Sequence, residues 1–205
     1  MNPDLEPLRR SVTEVFDDKY RARERGLANC RKVIRSSANA IRALHRGEAA
    51  EANALMTEAG SLLREATDVL APHPDVGNAG FIHDAAKEYA EARLTAALGS
   101  GAPLPLPREL GVEPAAYLNG LGEAVGELRR RMLDLLRADE LGPAASTLEA
   151  MDAVVEFLAT VDYPDGMTGG LRRTTDVARA LVERSRSDLT TTVVQERLRR
   201  ELQGR

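Results

Sequence analysis

The stretch KEYAEARL, residues 87–94, sets Glu88 and Glu91 three positions apart among alanines, a leucine and one tyrosine. A second pair, Glu123 and Glu127, stands four positions apart in YLNGLGEAVGELRRRMLDLL, residues 117–136. On a helix, spacings of three and four return side chains to nearly the same side. Each pair is therefore either two solvated carboxylates or half of a cation site. Four carboxylates from two helices, with no cysteine or clustered histidine among them, would make a hard-oxygen site suited to Mg²⁺ or Mn²⁺. Such ions lower the pKa of bound water and stabilise charge on a phosphoryl group, so the chemistry expected of joined pairs is metal-assisted phosphodiester hydrolysis. A ferritin-like di-iron centre needs paired Glu-x-x-His motifs, and none of His45, His73 and His83 lies three residues after a glutamate. His83 precedes Glu88 by five residues and points elsewhere on its helix, so it is not expected to be a general base.

The pairs can meet only if the elements that carry them pack side by side. Breakers at HRGE (45–48), APHPDVGNAG (71–80), GSGAPLPLPRELGVEP (99–114), LGP (141–143) and YPDGMTGG (163–170) divide the chain into long segments. Between them apolar residues recur at helical spacing, and no alternating strand-like run appears. The pattern predicts helices near 3–45, 48–70, 77–98, 115–138, 143–162 and 170–202, the last broken around SDLTTT if Asp188 or one of Thr190 to Thr192 caps a new helix. The proline-rich connection 99–114 is the longest linker and should be partly extended. The expected fold is all-α, a single domain over residues 1–205 built as an antiparallel bundle of about six or seven long helices.

On the helix near 77–98, Phe81, Ala85, Ala86, Tyr89, Ala92 and Ala96 form an apolar arc, with Asp84, Glu88 and Glu91 along its border. In the following long helix Leu118, Leu121, Val125, Leu128, Met132 and Leu136 form the core side. Gly120, Gly122 and Gly126 crowd the turn that carries Glu123 and Glu127. Three glycines in a helix cost roughly 1 kcal/mol each relative to alanine, which points to close approach by another backbone or a ligand.

From Lys19 to Arg46 the first helix holds nine basic residues and one acid, Glu24. Leu27, Cys30, Val33, Ile34, Ala38, Ile41 and Leu44 share one arc, and Arg21, Arg25, Arg31, Lys32, Arg35, Arg42 and Arg46 share the other. A solvated face usually mixes signs, because opposite charges support each other at i,i+4. A single-sign face is either neutralised by acids of a neighbour or binds phosphate. Arg21, Arg25, Lys32 and Arg35 are the candidate contacts to a nucleic-acid backbone; without interleaved aromatics, contact should be largely independent of base sequence.

Composition sets the remaining bounds. The formal charge of −4 and pI near 5.5 argue against indiscriminate nucleic-acid binding while leaving room for a local basic face. Lys19, Lys32 and Lys87 are the only lysines, and all other cationic side chains of the 28 are arginines. One cysteine, Cys30, cannot form an internal bridge, which fits a reducing, cytoplasmic setting. The opening MNPDLEPLRR lacks an apolar signal core, and no later run is long enough to cross a bilayer, so no membrane partner is expected.

The segments KEYAEA, LPRELGVEPAAYLNGLGEAVGELRRRMLDLLR, MDAVVEFLATVDYP and LRRTTDVARALVERSRSDLT resemble the translin family, which includes translin and translin-associated factor X. The similarity runs from RERGLANCRKVIRSSANAIRALHRGE onward, and its most specific pieces are the E-Y-x-E-A and Y-L-x-G-x-x-x-x-x-G-E-L patterns. A single chain without long insertions is similar to archaeal homologues. The resemblance implies a seven-helix bundle assembled into a hollow homo-octameric shell that encloses RNA or single-stranded DNA. It implies a magnesium-dependent endoribonuclease, with the acidic residues of the catalytic branch falling on Glu88, Glu91, Glu123 and Glu127 as metal ligands. Translin itself binds nucleic acid without this acidic set, so a non-catalytic RNA or single-stranded DNA binder is the alternative. Glu123 stands where the catalytic branch usually has Asp, and its side chain is one methylene longer. The same resemblance gives Leu171, Val177, Leu181, Val182, Val193, Val194 and Leu198 of the C-terminal helix a role in packing within or between subunits.

Overall fold

The computed structural model describes residues 3–77 and 80–203. Among the described residues there are helices and no strands: α1 (Glu6–His45), α2 (Ala49–Leu70), α3 (Pro74–Gly77), α4 (Phe81–Ser100), α5 (Pro107–Leu110), α6 (Pro114–Arg137), α7 (Leu141–Ala159), α8 (Asp165–Thr168) and α9 (Leu171–Gln203). The six long helices fall where the apolar periodicity places them. The expected start of the third segment at residue 77 runs through positions 78 and 79, which lie outside the described residues.

α1 and α2 form a long antiparallel hairpin, α4 lies against both, and α6 packs on α4 and in turn on α7 and α9. α4 is thus enclosed by α1, α2 and α6, and Ala85, Ala86, Tyr89, Ala90, Ala92, Leu94, Thr95 and Ala97 are all buried. A one-sided arc understates this helix, because its alanines let neighbours close on several faces. The main core gathers Leu94, Leu121, Leu128, Met132, Met151, Leu158 and Val182, each 2% exposed or less. Burying each such side chain contributes about 1.5–3 kcal/mol. A smaller cluster of Ala40, Ile41 and Ala43 with Ala52, Met56 and Ala92 closes the junction of α1, α2 and α4.

Three local expectations change. Leu141, Gly142 and Pro143 belong to the first turn of α7 instead of breaking the chain, because a proline near a helix start removes an N–H that has no intrahelical partner. α9 continues through SDLTTT; Thr190 and Thr192 donate their hydroxyls to the carbonyls of Arg186 and Asp188, four residues back, and cap nothing. The 99–114 connection is shorter than expected, since α4 extends to Ser100 and ends on Gly101 in the left-handed conformation (φ 70°), and α5 adds one turn. The Tyr117 hydroxyl donates to the Pro105 carbonyl at 2.8 Å and ties this connection to α6.

Asn119 joins α6 to the C-terminal half. Its amide donates to the carbonyls of Ala115 (2.9 Å) and Thr168 (2.7 Å), and its oxygen accepts from the Thr174 hydroxyl (2.6 Å). This buried side chain therefore fixes the turn of α6 immediately before the second acid pair.

Candidate functional site

Gly120 brings the two acid pairs together. A Cβ at this position would stand 2.7 Å from the Lys87 carbonyl oxygen and 2.9 Å from the Glu91 nitrogen, so α6 lies directly on the α4 backbone where Glu88 and Glu91 leave it. One carboxylate oxygen from each of Glu88, Glu91 and Glu123 lies within 4.8 Å of the other two. Three of the four predicted acids thus converge. Asp84, on the same border of α4, stays exposed outside this group.

Glu127 is held one turn along α6, with its Oε2 2.5 Å from His45 Nε2 at the end of α1. Sequence reasoning did not select His45, because the two residues are 82 positions apart and the histidine belongs to no motif. Lys87 was also missed as a site residue. Its ammonium lies 2.6 Å from Glu123 Oε1 and 3.5 Å from Glu88 Oε1. The signal was present in the first letter of KEYAEARL, a lysine next to one acid and one helical turn before the other.

Crowded carboxylates raise one another's affinity for protons. Burial, followed by the charges of Glu123, Glu88 and Glu127, pushes the Glu91 carboxyl up to about 8, with Lys87 opposing. Burial also raises Glu88; Lys87 pulls the other way, and Glu123 and Asp84 add to the rise. Burial alone would lower Lys87, but its hydrogen bond to Glu123 and the charges of Glu123 and Glu88 outweigh it and raise the ammonium's pKa. These shifts describe a cluster short of positive charge. All three converging donors are hard oxygens, without histidine or thiolate, so the residues fit Mg²⁺ or Mn²⁺. A cleft of about 200 Å³ opens beside Glu127, lined also by His45, Thr95, Gly99 and Arg131 among others.

The basic face of α1 is partly neutralised. Arg21 pairs with Asp18 (3.2 Å), Arg25 lies 3.9 Å from Glu65, and Lys19 pairs with Asp75 of α3 (2.6 Å). Arg31, Lys32 and Arg35 are exposed, and among the described residues no carboxylate pairs with them. At 100° per residue, Arg31, Arg35 and Arg42 lie roughly 40–80° around the helix from His45, whereas Arg21, Arg25 and Lys32 lie roughly 120–160° away. Of the four predicted contacts, Arg35 is the one on the His45 side of the α1 arc, roughly 80° from it. His83 packs beside Gly169, and it is not one of the groups that converge with the carboxylates.

No family model matches the sequence. An uncharacterised protein of Methanocaldococcus jannaschii is 27% identical over 187 residues, spanning 90% of this chain and 82% of that protein. The structure of C3PO from Archaeoglobus superposes with a TM-score of 0.81 at 32% identity, covering 93% of this chain and 97% of the other. The chain belongs to the translin family. The same Archaeoglobus C3PO in complex with duplex RNA gives a TM-score of 0.77 at 31% identity, with 93% and 97% coverage. C3PO from Nematostella without ligand gives 0.75 at 20% identity over 94% of this chain and 98% of that one, a likeness of fold. The helical arrangement described above is thus that of translin and translin-associated factor X. No described helix is long and apolar enough to cross a membrane.

Proposed function

We propose that this translin-family protein is a metal-dependent endoribonuclease that hydrolyses RNA phosphodiester bonds inside a homo-oligomeric, octameric shell in the cytoplasm. The observation that carries the reading is the convergence of Glu88, Glu91 and Glu123 from two helices locked together at Gly120. These three carboxylates hold the cation, and Glu127, oriented by His45, borders them. Mg²⁺ or Mn²⁺, when bound, supplies electrostatic stabilisation of the charge that grows on the phosphoryl oxygens. The chain's own contribution is to place the RNA. Among the described residues no carboxylate pairs with Arg31, Lys32, Arg35 or Arg42, which suit contacts to phosphates that orient the backbone without reading bases.

Assembly is supported by apolar surface that one copy leaves bare. Leu5, Leu8, Val12, Val15 and Phe16 at the start of α1 are 45–64% exposed, as are Val194, Leu198 and Leu202 near the end of α9. A monomer rarely displays such stripes unless a partner covers them. Of the C-terminal residues expected to pack, Leu171 and Val182 are buried within the subunit, while Val177, Val194 and Leu198 face outward and are available to a neighbouring copy.

A second reading is a shell that binds RNA or single-stranded DNA without cutting it. It is favoured by Glu123, which reaches one methylene further than the usual Asp and is engaged by Lys87. Incubating a short labelled RNA with the purified protein in Mg²⁺ or in EDTA separates the two. Cleavage in Mg²⁺ alone supports the hydrolase, and binding without cleavage in both supports the container.

A further inference from the structure

The acid cluster already contains a cation of the chain's own. Lys87 Nζ donates to Glu123 Oε1 at 2.6 Å and lies 3.5 Å from Glu88 Oε1, and its side chain is only 22% exposed. Glu88 and Glu123 are two of the three acids whose oxygens converge within 4.8 Å. The residue type is as informative as the position. Only three of the 28 basic residues are lysines, and one of them stands here. A guanidinium is a wide planar fork, whereas an ammonium is a compact point charge on a flexible stem, able to sit among carboxylates as a small cation does and then to leave. A divalent cation and the ammonium compete for the same carboxylates and repel each other as like charges. A magnesium ion lies about 2.0–2.1 Å from each carboxylate oxygen it binds, and Lys87 already takes one of the two Glu123 oxygens, Oε1.

We propose that Lys87 is the resident counter-ion of this cluster, joining Glu88 to Glu123 across α4 and α6 until a divalent cation takes their oxygens, and is displaced from them when it does. The identity of the incoming cation rests on the hydrolase reading. Two effects follow. Without metal, Lys87 offsets the mutual repulsion of the carboxylates and keeps them assembled. With metal, its displacement is part of the binding equilibrium, so the lysine weakens divalent-cation affinity.

Both effects have readouts independent of cleavage. In EDTA, Lys87→Met is expected to melt below wild type. Mn²⁺ binding followed by electron paramagnetic resonance is expected to be at least about tenfold tighter in that variant, since a nearby positive charge has been removed. In the unmodified protein, amine acylation mapped by mass spectrometry should rise several-fold at Lys87 on saturation with Mg²⁺, with Lys32 unchanged as the internal reference. This arm decides the matter if Lys87→Met does not fold. Bound Mn²⁺ together with unchanged Lys87 acylation, or equal Mn²⁺ affinity in wild type and variant, overturns the inference and leaves the hydrolase reading standing. No Mn²⁺ binding to either protein overturns the metal site itself, and the displacement with it.

Discussion

A Cβ on Gly120 would stand 2.7 Å from the Lys87 carbonyl oxygen, a backbone atom that cannot move aside as a side-chain tip can. Gly120→Ala therefore sets two effects against each other. Alanine is favoured over glycine in a helix by about 1 kcal/mol, but separating α6 from α4 costs about 1–3 kcal/mol and disturbs the packing on either side. The contact should win. The variant is expected to unfold at lower urea concentration than wild type and to bind Mn²⁺ more weakly. Equal or greater stability with intact cation binding would mean that the helices need no glycine to bring the acids together.

Glu91 gives a pH dependence with a definite sign. Its carboxyl titrates near 8 in the folded chain against 4.5 for an ordinary glutamate. Between these values the folded state retains a proton that the unfolded state has lost, so this residue's contribution to stability falls as pH rises from about 4.5 to about 8. In EDTA, Glu91→Gln should therefore raise the melting temperature at pH 8 relative to wild type, and the gain should shrink toward pH 5. Thermal denaturation across this range checks it; a gain that grew toward acid pH would contradict the burial and crowding that raise the carboxyl.

The arc positions on α1 separate two sets of basic residues. Charge reversal of Arg31, Arg35 and Arg42, which flank the His45 side of the helix, should weaken RNA binding more than reversal of Arg21, Arg25 and Lys32. Each lost phosphate contact should also reduce the slope of log affinity against log salt by about 0.7–0.9. Fluorescence anisotropy at several salt concentrations measures both. Equal effects from the two triplets would show that RNA follows the whole face, and no effect from either would make the stripe structural.

At the start of α1, Phe16 is 64% exposed in the single subunit. If copies of the chain cover this stripe, Leu8→Glu combined with Phe16→Glu should reduce the mass seen by light scattering while the helical circular dichroism is retained. An unchanged assembly would place the interface elsewhere, leaving the α9 stripe of Val194, Leu198 and Leu202 to be tested in the same way.

The six long helices were legible because each carries enough apolar periodicity to declare itself and most boundaries have a proline or glycine nearby. The one-turn helices α3, α5 and α8 were not, since four residues show no period. Glu88 and Glu91 could be paired from their spacing, as could Glu123 and Glu127, because helical geometry is local. Whether the pairs meet is not local information. The glycines of α6 indicated a close approach, but only the fold shows that Gly120 is the one against α4 while Gly122 faces Thr174 of α9. His45 had no sequence signal at all: a lone histidine at a helix end gives no hint of a glutamate 82 residues away. Asn119 reads as an ordinary polar residue in a helix, and its three hydrogen bonds to α6, α8 and α9 become visible only once those elements are placed.

Cleavage of a short 5′-labelled RNA by wild type and Glu123→Ala, purified in parallel and assayed in Mg²⁺ and in EDTA, tests the hydrolase reading most directly. Glu123 is the proposed ligand from α6, its carboxylate lies with those of the α4 acids, and its truncation leaves the Gly120 contact untouched. The expected result is cleavage by wild type in Mg²⁺, none in EDTA, and none by Glu123→Ala, with RNA binding retained by the variant. Cleavage by Glu123→Ala at the wild-type rate would contradict the assignment of the converging carboxylates as the catalytic centre.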